Sequence, residues 1–200
     1  MKATVERRYN VGAIVLHWAI ALLILANIGL AWWFNTLHGD AKIEPVQLHK
    51  SIGITVLILS VLRLALRFVV PPPPLSAVLK PWERWLARLV HALFYVVMIG
   101  MPLTGWAFSS ASPLIHVFPI VLFHLVPWPT IAPLANLPHA QMKAAHALFL
   151  TSHQLLAKLA YGLIALHVAG ALKHQLFDRD DELARMIPFL RRRPREVVHA

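Results

Sequence analysis

HALFLTSHQLLAKLAYGLIALHVAGALKH, residues 146–174, is the stretch from which the rest of the chain is read. Nearly every residue in it suits a membrane helix, yet histidines fall at 146, 153, 167 and 174. Steps of seven and fourteen residues keep them in one slowly drifting stripe along a helix. Ala160 fills the seventh-residue slot between His153 and His167. At 1.5 Å per residue those two lie roughly 21 Å apart along the axis. That is most of a hydrocarbon core of about 30 Å. Polar imidazoles on one apolar face, near opposite membrane surfaces, are expected to ligate something at both depths.

Composition agrees. The chain has 200 residues, 58% hydrophobic and 14% charged, with a mean hydropathy of +0.61. A soluble domain of this size cannot hide that much apolar surface, so a membrane protein is expected. The net charge of +10 does not point to nucleic acid, because the charges sit at the ends of apolar runs. The absence of cysteine excludes disulfides, iron–sulfur clusters, thiolate-ligated haem and CxxCH haem attachment.

Four membrane spans are expected. The first, 11–34, carries no charge, follows Arg7 and Arg8, and ends at Trp32 and Trp33, suited to an interfacial belt. It is too long for a signal peptide, and no small-residue cleavage site follows it. The second, 47–70, ends with Arg63 and Arg67 on one face and is stopped by the run Pro71–Pro74. The third, 82–108, contains Pro102 and Gly105 near its far end. The fourth is 144–174. Between the last two, 109–143 is read as an apolar loop in or on the membrane interface. Its six prolines from Pro113 to Pro138 rule out a regular helix. Residues 1–190 form one transmembrane domain in this reading, and 191–200 a basic cytoplasmic tail.

Lys and Arg bias orients the bundle. Arg7, Arg8, Arg63, Arg67, Lys80, Arg84, Arg88, Lys173 and the tail arginines share one side, and only Lys42, Lys50 and Lys143 lie on the other. The expectation is an all-α, four-helix transmembrane bundle with both termini cytoplasmic.

Depth then pairs the histidines: His17 with His167 near the cytoplasmic side, and His49 with His153 near the periplasmic side. Haem suits such pairs, being a flat apolar macrocycle with imidazole on both axial positions. One turn after each of the four comes a small residue: Ala21, Gly53, Ala157 and Ala171. His91 is followed instead by Tyr95, and His146 by Leu150. Ala160 is expected between the two macrocycles. His91 is given a structural or supporting role, and His116, His124 and His139 a place in the apolar loop. His174 either transfers protons or is a surface residue. Lys158 either snorkels outward or pairs with a propionate. Arg63 and Arg67 either pair with propionates of the nearer haem or act as topology anchors.

With these stretches in view — RRYNVGAIVLHW, LHKSIGITVLILSVLRLALR before the prolines, LVHALFYVVMIGMPLTGW, and SHQLLAKLAYGLIALHVAGALKHQLFDRDDELARMIP — the chain resembles the bacterial cytochrome b561 family. That family is related to the b-type cytochrome subunits of Ni/Fe-hydrogenases, and the likeness runs over about residues 7–190. It implies four helices in the inner membrane holding two b haems, with His17, His49, His153 and His167 as ligands. It also implies oxidation of superoxide on the periplasmic side and reduction of ubiquinone in the membrane. Lys50, Lys143 and His146, with His139 nearby, are then candidates for attracting superoxide. His174 and Arg63 are candidates for the quinone head. Two other readings remain open. One is an anchor subunit that passes electrons between a periplasmic dehydrogenase or hydrogenase and the quinone pool, with 113–138 as its docking surface. The other is a non-redox membrane protein whose histidines bind a metal or nothing.

Overall fold

The structure, a computed structural model, describes residues 9–75, 79–178 and 183–187. Arg7, Arg8, the tail arginines other than Arg185, and the expected tail 191–200 lie outside these. Among the described residues, four helices are long and apolar enough to cross a membrane. They are α1 (Val11–Phe34), α2 (Ile43–Val69), α3 (Pro81–Ser110) and α5 (His139–Lys173); α4 is a single turn, Ala132–Ala135. The protein is therefore an all-α membrane protein with a small loop structure added at one end.

Each boundary has a local cause. Asn10 caps α1, its Oδ1 accepting from Gly12 N at 2.8 Å. A 3-10 turn at Gly39–Lys42 runs directly into α2, so the second span starts four residues before the expected Gln47. The proline run ends it at Val69. Pro81 opens α3 at a position where its missing N–H costs nothing, and Glu83 Oε2 accepts from Lys80 N at 2.9 Å. α3 continues through Pro102 and Gly105 to Ser110.

The largest departure from expectation concerns 109–143. Its last five residues are helical, because α5 begins at His139 and not near Ala144. His139 and Lys143 therefore stand on the first turns of α5 and not in a loop. The remainder is ordered by a short antiparallel hairpin, β1 (Val121–Leu122) and β2 (Val126–Pro127), followed by α4. Phe123 and His124 at its tip take positive φ, 50° and 60°, a strained choice for residues with a Cβ. Two anchors hold the tip. Ser51 Oγ, buried on α2, accepts from Phe123 N at 2.9 Å, and His124 Nε2 pairs with Glu44 Oε2 at 2.9 Å. Gln47 Nε2 adds a bond to Pro119 O at 2.7 Å. On the α3 side, Ser110 Oγ accepts from Ile131 N and Trp106 Nε1 donates to Pro129 O. Ile115, Ile120 and Ala135 form a small core beneath, covered by Trp106, Leu122 and Trp128.

The bundle has two distinct ends. The hairpin end carries residues 35–42 and 111–138. The linker end carries 71–75, the start of α1 and the end of α5. Close helix packing joins α1 to α2, α2 to α3 and α3 to α5. The α3–α5 seam is filled by Val90, Val97, Ala160 and Leu163. Ala160 thus packs on α3, where a place between macrocycles was expected. Outward, large side chains such as Leu22, Leu25, Val96 and Leu155 are more than half exposed. Lipid is the only solvent in which that surface is stable. Exposed Trp32 and Trp33 at the hairpin end, and Trp82 and Trp85 at the linker end, suit the two interfaces. Lys158 points outward from α5, on the exposed face expected of a snorkelling lysine.

At the linker end, buried Glu83 meets Lys173 Nζ at 2.7 Å, and Lys173 meets Asp178 at 2.6 Å. This ties the start of α3 to the end of α5. Residues 183–187 fold back over the same end, with Trp18 Nε1 donating to Met186 O and Arg185 to Pro74 O. Glu83→Gln and Lys173→Met should each lower the thermal midpoint in detergent by a few degrees, on the order of 1 kcal/mol for a bundle of this size. The double variant should be no less stable than the worse single one, because both remove the same interaction. Additive losses would show that the pair does not act as a unit.

Candidate redox site

α5 lies close to α3 but not to α1 or α2. Across the space so left, side chains meet in two layers. At the linker end the His17 and His167 rings are 6.1 Å apart between centroids, inclined at 65°. At the hairpin end His49 and His153 are 6.2 Å apart, inclined at 77°. All four are half-buried. Two imidazoles sharing one iron from opposite sides, each about 2 Å away through one nitrogen, would have ring centres about 6 Å apart. Both pairs fit that requirement.

Hydrogen bonds orient the hairpin-end pair. His153 Nδ1 lies 2.9 Å from Met101 O, and His49 Nδ1 lies 3.3 Å from Asn27 O. A proton on each Nδ1 donates to these carbonyls and leaves Nε2 bare, the tautomer a metal requires. Gly105 makes room on α3: a Cβ there would stand 3.2 Å from His153 Cε1 and 3.3 Å from Nδ1. Phe34 packs edge-on against His49, and Phe108 against His153. Of the expected small neighbours, Ala21, Gly53, Ala157 and Ala171 are all half-buried.

The linker-end pair has a third ring beside it. His91 on α3 is 5.8 Å from His167, and Phe94 is 5.4 Å from it. Arg63 is half-buried on α2 toward the same linker end. Among the described residues, however, no three His, Cys, Asp or Glu side chains converge on one ion. The donor set is one of opposed pairs, unlike a zinc-type cluster.

The remaining candidates scatter. Lys50 follows His49 on α2, half-buried, and Lys143 is exposed on the first turns of α5. His146 Nδ1 bonds to Phe108 O at 2.9 Å, and its ring meets the Phe108 ring at 5.6 Å. His139 and His116 are exposed. His174 Nδ1 pairs with Asp178 Oδ2 at 2.8 Å on the π-helical turn that ends α5. Arg67 is exposed at the end of α2. Sequence reasoning missed Met101, Asn27, Thr104 and Phe108. The first two act through backbone carbonyls, which leave no trace in residue type. Gly105 was noticed as a helix interruption, not as space for a ring.

Residues 8–189 match the description of one family, prokaryotic cytochrome b561. Cytochrome b561 homolog 2 of Escherichia coli (strain K12) is 32% identical over 182 residues, covering 90% of this chain and 91% of that protein. The probable superoxide oxidase CybB of Yersinia pestis is 30% identical over 189 residues, 92% of this chain and 97% of that one. Cytochrome b561 homolog 1 of Escherichia coli (strain K12) is 29% identical over 190 residues, 90% and 97% of the two chains. Matches of this length, on four apolar helices with imidazoles opposed between them, mean that the chain belongs to the prokaryotic cytochrome b561 family: it is an oxidoreductase of the bacterial inner membrane, multi-pass, carrying electrons across the bilayer with b-type haem.

Proposed function

We propose that the chain holds two b haems, one between His17 and His167 and the other between His49 and His153, and that it oxidises superoxide and reduces ubiquinone. The observation that carries this is the pair of imidazole contacts, 6.1 and 6.2 Å, stacked along one helix on the side where α5 faces α1 and α2 without close backbone packing. His91 approaches His167 as closely, but α3 packs directly on α5 and leaves no width for a macrocycle between them. When bound, the haems supply a one-electron relay between the two membrane surfaces.

The hairpin end faces the periplasm in this reading, and both termini the cytoplasm, as the Lys and Arg bias requires. Lys50 and Lys143 give that mouth positive charge, which draws in an anion. His146 offers Nε2, its Nδ1 being bonded to Phe108 O. At the linker end Arg63 donates to the quinone head, and the His174–Asp178 pair carries protons toward it. Two superoxide anions, one ubiquinone and two protons give two dioxygen molecules and one ubiquinol. Support for superoxide in particular comes from the name of the Yersinia relative. The exposed apolar hairpin tip, with Leu125 81% exposed, supports the anchor-subunit reading instead.

A reduced-minus-oxidised spectrum of the purified chain should show a b-type signal and two haems per chain. His49→Ala and His153→Ala should each remove the same haem, His17→Ala and His167→Ala the other, and His91→Ala neither. A single ligand variant that keeps both haems would refute its pairing.

Pulse-generated superoxide should reduce the haem at a rate approaching the diffusional range, about 10⁸ M⁻¹s⁻¹ or more. The rate should fall with ionic strength, and by several-fold in the Lys50→Gln, Lys143→Gln double variant. Haem that is slow with superoxide but is reduced by a co-purifying partner would decide for the anchor subunit.

A further inference from the structure

We infer that the α3 segment Met101–Gly105 sets the orientation and electron-donating strength of His153, and through it the reduction potential of the hairpin-end haem. The inference rests on His153 being an axial ligand, as proposed above.

Met101, Thr104 and Gly105 converge on one ring. Pro102 has no N–H to give the preceding turn and crowds the carbonyl of Met98, so α3 cannot keep a regular ladder there. Next to it, Met101 O accepts two side-chain donors from outside the ladder: His153 Nδ1 at 2.9 Å and Thr104 Oγ1 at 2.8 Å. Thr104 Oγ1 is itself 3.4 Å from His153 Nδ1, so hydroxyl and imidazole share one carbonyl. Gly105 then lets the ring lie almost against the α3 backbone, where even a methyl group would touch it at 3.2 Å. Phe108 closes the ring's side, 5.5 Å away at 69°.

An imidazole whose Nδ1–H is bonded to a carbonyl is a more basic ligand at Nε2. A more basic ligand favours the oxidised metal and lowers its potential. His49 makes the equivalent bond at 3.3 Å, a longer and weaker contact. His153 is therefore the stronger lever of its pair, and Thr104 and Gly105 are positioning residues that act through it. Thr104 weakens the lever by competing for Met101 O, and Gly105 strengthens it by letting the ring come close.

Two substitutions should move the potential in opposite directions. Thr104→Val keeps the side-chain shape, removes the competing donor and should lower the midpoint of the hairpin-end haem. Gly105→Ala pushes the ring off the carbonyl and should raise it, with a changed low-temperature EPR signal of the same haem. The haem is identified as the one lost in His49→Ala. The midpoint of the other haem should not move in either variant. Shifts of the same sign, no shift, or equal shifts in both haems would overturn the inference. Thr104→Val decides by itself if Gly105→Ala does not fold. Should His153→Ala keep both haems, the ligand assignment is what has failed. Should it lose one while Thr104→Val leaves the midpoint unmoved, the ligand stands and the role of α3 falls.

Discussion

The space between α5 and the α1–α2 pair is the constraint on which everything else depends. In lipid, helices are not driven together by the hydrophobic effect. They associate where side chains interlock or polar groups bond. α3 provides such a surface to α5 through Val90, Val97, Ala160 and Leu163, and α1 provides one to α2. α5 reaches α1 through Trp32 Nε1, which donates to Tyr161 Oη at 3.3 Å, and four imidazoles meet between α5 and the α1–α2 pair. With no water in the bilayer core, each ring nitrogen must find its partner within the protein or in what the protein binds. Backbone carbonyls take Nδ1 of His49 and His153. In the proposed function, haem iron would be the partner of the nitrogens left over.

The two ends of the bundle are built on different principles. At the linker end, charge holds the helices in register: Glu83, Lys173 and Asp178 form one network, with His174 bonded to Asp178. At the hairpin end, no charged side chain occurs from Pro113 to Pro138. There buried serines at the helix ends replace charge. Ser51 and Ser110 each accept a backbone N–H from the loop, which, together with the His124–Glu44 pair at the tip, lets an apolar, proline-rich segment keep a definite shape. The scarcity of charge leaves Lys42, Lys50 and Lys143 as the sources of positive potential near that mouth, against Asp40 and Glu44, the latter paired with His124.

Much of this was legible in the residues. α1 is bounded by polar residues on both sides, so its limits, Val11 and Phe34, follow from hydropathy alone. The histidines of α5 declare themselves by spacing, and depth brings His17 and His49 opposite them. Legibility fails where the cause is tertiary. α5 starts five residues early because a membrane helix extends past its apolar stretch once α4 packs at its foot. The hairpin itself has no Asn-Gly or Gly-Gly signal. Its tip uses Phe123 and His124 at positive φ, made tolerable by Ser51 and Glu44 over seventy residues away in the chain. The bulky Tyr95 that follows His91 points to a supporting role, and only the packing of α3 on α5 shows that the His91 ring meets His167.

The position of Ala160 shows how the two surfaces of α5 are joined. A seven-residue repeat falls about 20° short of two full turns of an ideal helix. From His153 through Ala160 to His167 the stripe therefore rotates by about 40°. Leu156 and Leu163, which belong to the seam with α3, lie on the side toward which it rotates. Ala160 is consequently drawn into that seam, and His167 comes to lie beside Phe94 and His91 of α3. His153 stands at the other end of the drift and still reaches α3, but only because Gly105 lets the two helices meet without a side chain between. One helix can thus present imidazoles to α1 and α2 and pack on α3 at once, since its ligand stripe and its packing stripe are adjacent and converge along its length. A strictly straight stripe, with the histidines eighteen residues apart, would hold the second ring in line with His153 and away from Phe94 and His91 of α3.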